Sequence, residues 1–239
     1  MFIMKLKGSK ILITGGSSGI GKATAKLLSE SGADVIITGR DKKKLEAAAK
    51  QLNVHSVHAD VSKQEDIDKT FKFIEDKLGG LDCLVNNAGI GEFLLLEELT
   101  VEAFIKVYSV NVFGAALTAK KAAEIFKKQN YGNIINVAST ASLKGYARGT
   151  IYSSSKFALR SMTECWQAEL RPYNIRVMQI NPSEVPTAFG SNTRTEREEK
   201  PNKLTSVEIA HAIKTMLEMD DRGMIPELTV WATNPWEKK

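Results

Sequence analysis

Short apolar runs and longer amphipathic stretches alternate along the whole chain. Lys10 to Thr14, Asp34 to Thr38, Val54 to His58, Asp82 to Asn86, Asn133 to Ala138 and Ile175 to Ile180 are each five or six residues long. They are rich in Val, Ile and Leu and bounded by Gly, Asn, Asp or Pro, which predicts buried strands. Glu227 to Trp231 predicts a seventh. Between them lie helix patterns with recognisable ends. Lys22 to Ser31 is stopped by Gly32, and Lys42 to Leu52 is capped by Asp41. Ser62 with Glu65 predicts a capping box that opens a helix reaching Leu78, closed by Gly79 and Gly80. Thr100 begins a long helical stretch to about Gln129, another runs from Tyr152 to Arg171, and Ser206 is expected to cap a helix to about Met219.

Strand and helix in strict alternation predict one parallel sheet, covered on both faces and wound in right-handed crossovers. The expected fold is a Rossmann-like, doubly wound α/β sheet, and residues 1–239 form a single domain with no linker or internal repeat. One stretch breaks the pattern. Ser191 to Lys203 is polar throughout, so 188–203 is expected to be a mobile segment.

Composition narrows the function classes. With 43% hydrophobic and 26% charged residues the chain has an ordinary globular balance. The net charge of +5 is spread out, and Lys42-Lys43-Lys44 reads as a solvated helix face. Nucleic acid is therefore not an expected partner, although an acidic or phosphorylated small ligand suits the charge. Cys83 and Cys165 match no metal or redox spacing, and His55, His58 and His211 form no ligand cluster, so no metal is expected. No apolar run approaches the ~18 residues of a bilayer span. Met1 to Met4 reach Lys5 too soon for a secretory leader, so no membrane partner and a cytoplasmic location are expected.

The chemistry concentrates at Ser139, Tyr152 and Lys156. Ser139 follows the strand ending near Ala138, at the carboxyl edge where open α/β sheets place their ligands. Tyr152 and Lys156 are four apart and share one helix face. A hydroxyl, a phenol and an ammonium at one point can move a proton to or from an oxygen. The lysine is expected to bring the phenol, with an ordinary pKa near ~10, toward the working range.

A second cluster suits a nucleotide. Gly15, Gly19 and Gly21 sit with Ser17, Ser18 and Ile20 between the first strand and first helix, where close backbone approach places a pyrophosphate at a helix amino end. After the second strand stand Gly39 and Arg40, where an acidic residue would bind a ribose 2′-hydroxyl. A guanidinium there favours a 2′-phosphate, hence NADP over NAD. Asp60 and Val61 close the third strand, Asp60 serving either an adenine or a plain helix cap. Asn86, Asn87, Ala88 and Gly89 close the fourth. Asn111 is a polar residue in an apolar helix, and Pro182, Val185 and Thr187 lie in the turn after the sixth strand.

In this order, Thr14-Gly15-x-x-x-Gly19-x-Gly21, Asp60-Val61, Asn86-Asn87-Ala88-Gly89, Asn111, Ser139 and Tyr152-x-x-x-Lys156 resemble the short-chain dehydrogenase/reductase family across Lys7 to about Val230. The resemblance implies that Asn111, Ser139, Tyr152 and Lys156 are catalytic. Gly15, Ser17, Ser18, Gly19, Ile20, Gly21, Arg40, Asp60, Val61, Asn87, Ala88, Gly89, Tyr152, Lys156, Pro182, Val185 and Thr187 would contact the cofactor. It further implies NADP-dependent reduction of a carbonyl, a water held at Asn111 in a proton relay, and a homodimer or homotetramer built on helices 100–129 and 152–171. Two features depart from the family pattern: Ser183 stands where glycine is usual, and the carboxyl end lacks Val-Asp-Gly-Gly. The latter suggests small hydroxy or oxo compounds, with a 3-oxoacyl substrate also open. The competing readings are a non-catalytic NADP(H)-binding regulatory protein and an isomerase or dehydratase. A substrate pocket is expected along Ile90 to Leu96, Ser142 to Tyr146 and 188–203, with Leu94 to Leu96 as either an apolar wall or helix packing.

Overall fold

Seven parallel strands in the order β3-β2-β1-β4-β5-β6-β7 make the central sheet of a computed structural model that describes residues 5–189 and 197–236. The strands are β1 Lys10–Ile13, β2 Asp34–Gly39, β3 His55–His58, β4 Cys83–Asn86, β5 Gly132–Val137, β6 Ile175–Pro182 and β7 Glu227–Val230. The helices are α1 Gly19–Glu30, α2 Lys42–Leu52, α3 Gln64–Leu78, α4 Val101–Tyr108, α5 Ala115–Gln129, α6 Thr150–Leu170 and α7 Ser206–Glu218. The predicted doubly wound sheet is present.

Alternation along each strand builds two apolar layers. Ile11, Ile13, Val35, Ile37, Cys83, Val85, Met178 and Ile180 face α1, α2 and α7. Leu12, Ile36, Leu84, Ile134 and Val177 face the opposite layer with α3 and α5. Each strand is buried on both sides, which is why it reads as a continuous apolar run. Phe126 is fully buried against Gly132, where any side chain would collide with its ring.

The chain leaves β1 toward β2 and β3, then crosses back to β4 on the other side. Ile13 pairs with both Ile37 and Val85. The strand order reverses there, and at such a switch point open α/β sheets place their ligand crevice, above the carboxyl ends of β1 and β4.

Several helix ends differ from expectation. The α1 helix begins at Gly19, three residues early, so Gly21 lies in its first turn. The predicted Ser62–Glu65 box does not form. Asp60 Oδ1 instead accepts from the Ser62 amide (3.0 Å) and hydroxyl (2.8 Å), and Lys63 takes the cap position. An Asx turn has won over the capping box. Thr205, not Ser206, caps α7 and forms a reciprocal box with Glu208. Asp41 caps α2 as predicted, and Thr100, expected to begin its helix, caps α4.

The predicted helix 100–129 is interrupted by a π-helical turn over Ser109–Gly114, which separates α4 from α5. Taken whole, Val101–Gln129 is long and apolar enough to cross a bilayer by length and composition, which corrects the expectation of no such stretch. It packs instead against α6 and the sheet. Among the described residues no His, Cys, Asp and Glu group could hold a metal. Cys83 is a buried core residue whose thiol pKa burial pushes up, and Cys165 is exposed.

Candidate active site

The glycine loop is shaped by close contact with the turn after β4. Gly15 has φ of +68°, and a Cβ there would stand 3.0 Å from the Ala88 Cα. A Cβ on Gly21 would collide with the Asn87 amide and the Gly15 carbonyl. The Asn87 amide nitrogen donates to the carbonyls of Thr14 (2.9 Å) and Gly15 (3.1 Å), and Thr14 Oγ1 accepts from the backbone of Asn87 and Ala88. Asn87 therefore spends its side chain holding the loop. Ser18 has extended backbone and forms no side-chain cap, and α1 has no acidic residue in its first turn. The positive end of the α1 dipole lies at this loop, which suits an anion. Thr187 sits beside Gly19, 3.2 Å from where its Cβ would be.

At the far end of β2, a Cβ on Gly39 would meet Ser17 Oγ at 3.2 Å, so this position is crowded on its inner side. The Arg40 side chain is exposed there, and its carbonyl faces His58 Nε2 at 2.9 Å. Asp60 uses its carboxylate on Ser62, which favours its capping role. Val61 lies against Gly114. Ser183 has no positive φ and donates to the Val230 carbonyl at 2.9 Å, so the replacement of glycine causes no strain. Pro182 ends β6, and Val185 is buried in the α1–α7 layer. The described flanks of 188–203 are tied down: Arg197 donates to the carbonyls of Thr187 (3.2 Å) and Val185 (3.4 Å), and Lys203 pairs with Glu184 at 2.8 Å. Residues 190–196 of that segment, like Met1 to Met4, lie outside the described residues.

Ser139, Tyr152 and Lys156 converge above β5. Ser139 caps a short 3-10 turn, Thr140–Ser142, accepting from the Ala141 amide at 3.1 Å. Its hydroxyl stands near enough to the Tyr152 phenol to favour the ionised form. Lys156 is 4% exposed and donates to the Val137 carbonyl at 2.9 Å, while its Nζ stands 5.8 Å from the Tyr152 ring centre. A Cβ on Gly89 would lie 3.5 Å from Asn111 Oδ1 and 3.7 Å from Lys156 Nζ, so glycine keeps this corner open. Asn111, in the π-helical turn, accepts from the Ile90 amide and donates to the Ile90 carbonyl, both at 2.9 Å, and to Ser155 Oγ at 3.0 Å. It locks the turn after β4 to the stretch of α6 that carries Tyr152 and Lys156.

Electrostatics modify one expectation. Burial pushes the Tyr152 phenol up, with the Ser139 hydroxyl opposing and Tyr146 adding slightly. The Lys156 ammonium is itself aimed at the Val137 carbonyl. Burial also brings Lys156 itself down to about 8.

The family model for short chain dehydrogenases matches residues 9–198. The chain belongs to the short-chain dehydrogenase/reductase family. Among curated relatives, an uncharacterized oxidoreductase of Staphylococcus aureus strain MRSA252 is 35% identical over 222 residues, covering 92% of this chain and 95% of that protein. The 3-ketodihydrosphingosine reductase of Mus musculus is also 35% identical, over 77% of this chain and 58% of its own length. An alcohol dehydrogenase from the archaeon Thermococcus sibiricus, solved with 5-hydroxy-NADP, superposes with a TM-score of 0.88 at 30% identity, covering 98% of this chain and all of that one. A 3-ketoacyl-(acyl-carrier-protein) reductase from Brucella melitensis, solved with NADH, gives 0.87 at 31%, covering 97% and 100%.

For this short-chain dehydrogenase, sequence reasoning missed the network beneath Ser139. Asn86 donates to Asn136 Oδ1 (3.0 Å), Asn136 to Thr163 (2.8 Å), and Gln179 to Asn181 Oδ1 (2.8 Å), while the one Thr163 hydroxyl proton faces the Leu159 carbonyl (2.8 Å) and Gln179 Oε1 (3.2 Å). Asn181 donates to Glu227 Oε1 at 2.6 Å, and Arg160 reaches Glu227 Oε2 at 3.0 Å. The Ser142 hydroxyl, with one proton, faces the Ser139 carbonyl at 2.7 Å and Asn181 Oδ1 at 3.0 Å. The signal was present: amides interrupting strands that are otherwise apolar on both faces. Satisfied buried amides of this kind rigidify what they touch, here the Ser139 turn. Leu96, expected in a pocket wall or in packing, is 76% exposed and does neither.

Proposed function

We propose that the chain is an NADP(H)-dependent oxidoreductase that interconverts a carbonyl and a secondary alcohol. The observation that carries this reading is the convergence of Ser139, Tyr152 and Lys156 beside the crevice at the β1–β4 switch point. A nicotinamide cofactor, when bound, supplies or takes the hydride. The cradle around Gly15 and Gly21 and the amino end of α1, with no acidic residue in its first turn, fit its pyrophosphate. Arg40, with Gly39 in place of an acid, fits a 2′-phosphate.

Ser139 and Tyr152 would hold the carbonyl oxygen through their hydroxyls. The raised phenol pKa keeps Tyr152 protonated near neutral pH, the state from which it can donate to that oxygen. Lys156, near 8, is poised to return a proton to the phenol. Asn111 holds the Ile90 turn and Ser155, with the outward relay through a water at Asn111 following the family pattern. A small hydroxy or oxo compound, or a 3-oxoacyl group, is the substrate class that the sequence departures favour. Leu96, Val101, Ile105, Phe113 and Phe157 are exposed on and beside α4, α5 and α6, which supports a homodimer or homotetramer buried on that face. A cytoplasmic location is proposed with it.

The test is a fluorescence titration with NADPH and NADH, on the native protein and on Arg40→Ala, alongside turnover by Tyr152→Phe. NADPH should bind about tenfold or more tightly than NADH, and this preference should collapse in Arg40→Ala. Tyr152→Phe should lose at least about a hundredfold in kcat with NADPH binding retained. Equal coenzyme affinities would remove the NADP assignment. Turnover surviving in Tyr152→Phe would remove Tyr152 as the proton donor.

A further inference from the structure

We infer that Phe93 and Phe189 form an aromatic clamp on Tyr152 that restricts the substrate to uncharged ketones or aldehydes with an apolar group flanking the carbonyl. This rests on the reductase reading above and narrows it. The Phe93 and Phe189 ring centres stand 5.6 Å and 5.2 Å from that of Tyr152, and 6.5 Å from each other. The three rings meet at tilted or edge-on angles, the arrangement favoured by aromatic quadrupoles. They come from three separated segments: the loop after β4, the first turn of α6, and the stretch after β6.

Local structure holds the clamp in place. A Cβ on Gly91 would lie 2.8 Å from the Phe93 ring and 3.0 Å from the Phe189 ring, so glycine allows both to close there. Arg148 takes a left-handed φ of 66° and donates to the Phe93 carbonyl at 3.2 and 3.4 Å. On the other side the Phe189 amide donates to Thr187 Oγ1 at 3.2 Å.

The same contacts decide the charge that the site accepts. Arg148 is engaged with Phe93, Arg197 with Val185, Thr187 and Glu184, and Lys156 with Val137. A carboxylate or phosphate next to the carbonyl would lose its water against the phenyl rings of Phe93 and Phe189. An alkyl or aryl flank gains contact with both rings, while the Ser139 and Tyr152 hydroxyls supply the polar points for the oxygen. Within the small hydroxy or oxo compounds suggested by the carboxyl-terminal sequence, those carrying a carboxylate are thereby disfavoured.

The experiment compares kcat/KM for acetophenone, acetone and pyruvate at saturating coenzyme. It uses the native protein, Phe93→Ala, Phe189→Ala and Phe189→Leu, with thermal unfolding to confirm that each variant folds. Acetophenone should exceed pyruvate by about a hundredfold or more. Each alanine variant should lower the acetophenone value about tenfold, chiefly through KM, and leave acetone within about threefold. Leucine should recover part of the loss. Pyruvate equal to acetophenone, or alanine variants unchanged on acetophenone, would overturn the clamp while leaving the reductase reading intact. If coenzyme binds but no carbonyl is reduced, the reductase reading fails. Calorimetry of acetophenone on the protein–coenzyme complex then decides the clamp separately, with a tenfold weaker affinity in Phe189→Ala supporting it and no difference overturning it.

Discussion

Replacing Lys156 by Met should abolish the chemistry while leaving the fold as stable as before, or more so. The residue is 4% exposed, and its ammonium donates to the Val137 carbonyl at 2.9 Å. Burial lowers its pKa from 10.5 to about 8. At about 1.4 kcal/mol per tenfold, the charged form costs roughly 3 kcal/mol in the folded state. The unfolded chain holds this proton more tightly, so the full cost is present below pH 8 and is relieved as pH climbs from about 8 to about 10.5. Methionine removes the cost but leaves the Val137 carbonyl unpaired, a loss of about 1–3 kcal/mol. At pH 7 the balance lies between no change and a gain of about 2 kcal/mol. Urea unfolding of the coenzyme-free protein, followed by circular dichroism, measures it. Repeated at pH 10, the difference should shift by about 2 kcal/mol in favour of the native protein. The reasoning is refuted if the variant loses more than about 2 kcal/mol at pH 7, or if the difference stays constant across that range.

Two further substitutions probe the frame around the site. Asn181→Ala strips a partner from Ser142, Gln179 and Glu227; stability should fall by about 2–3 kcal/mol. Because the Ser139 turn loosens, kcat should fall about tenfold with coenzyme affinity unmoved, which separates positioning from binding. Gly21→Ala drives a Cβ into the Asn87 amide and the Gly15 carbonyl. It should cost about 1–3 kcal/mol, and the rise in Tm that NADPH gives the native protein should largely disappear. An unchanged NADPH-induced rise would show that the loop absorbs the methyl group without moving.

Residue pattern alone determined the architecture. Strands such as Ile11-Leu12-Ile13 are buried on both faces, so burial wrote itself into composition, and strand–helix alternation left a parallel doubly wound sheet as the consistent arrangement. It also picked out Ser139, Tyr152 and Lys156, because four-residue spacing on a helix and the end of a strand are local facts. Helix starts were less legible: Ser62 and Glu65 had the right spacing, yet Asp60 captured Ser62, a competition between alternatives of similar energy. Tertiary structure alone decided the rest. Lys156 turns to Val137, since where a buried ammonium points depends on which carbonyl stands near it. The amide chain from Asn86 to Glu227 joins four strands and one helix across 141 positions of sequence. Phe93 and Phe189 meet on Tyr152 only because three segments end at one edge of the sheet. Periodicity reports whether a side chain is buried; only the fold brings it a partner from far along the chain.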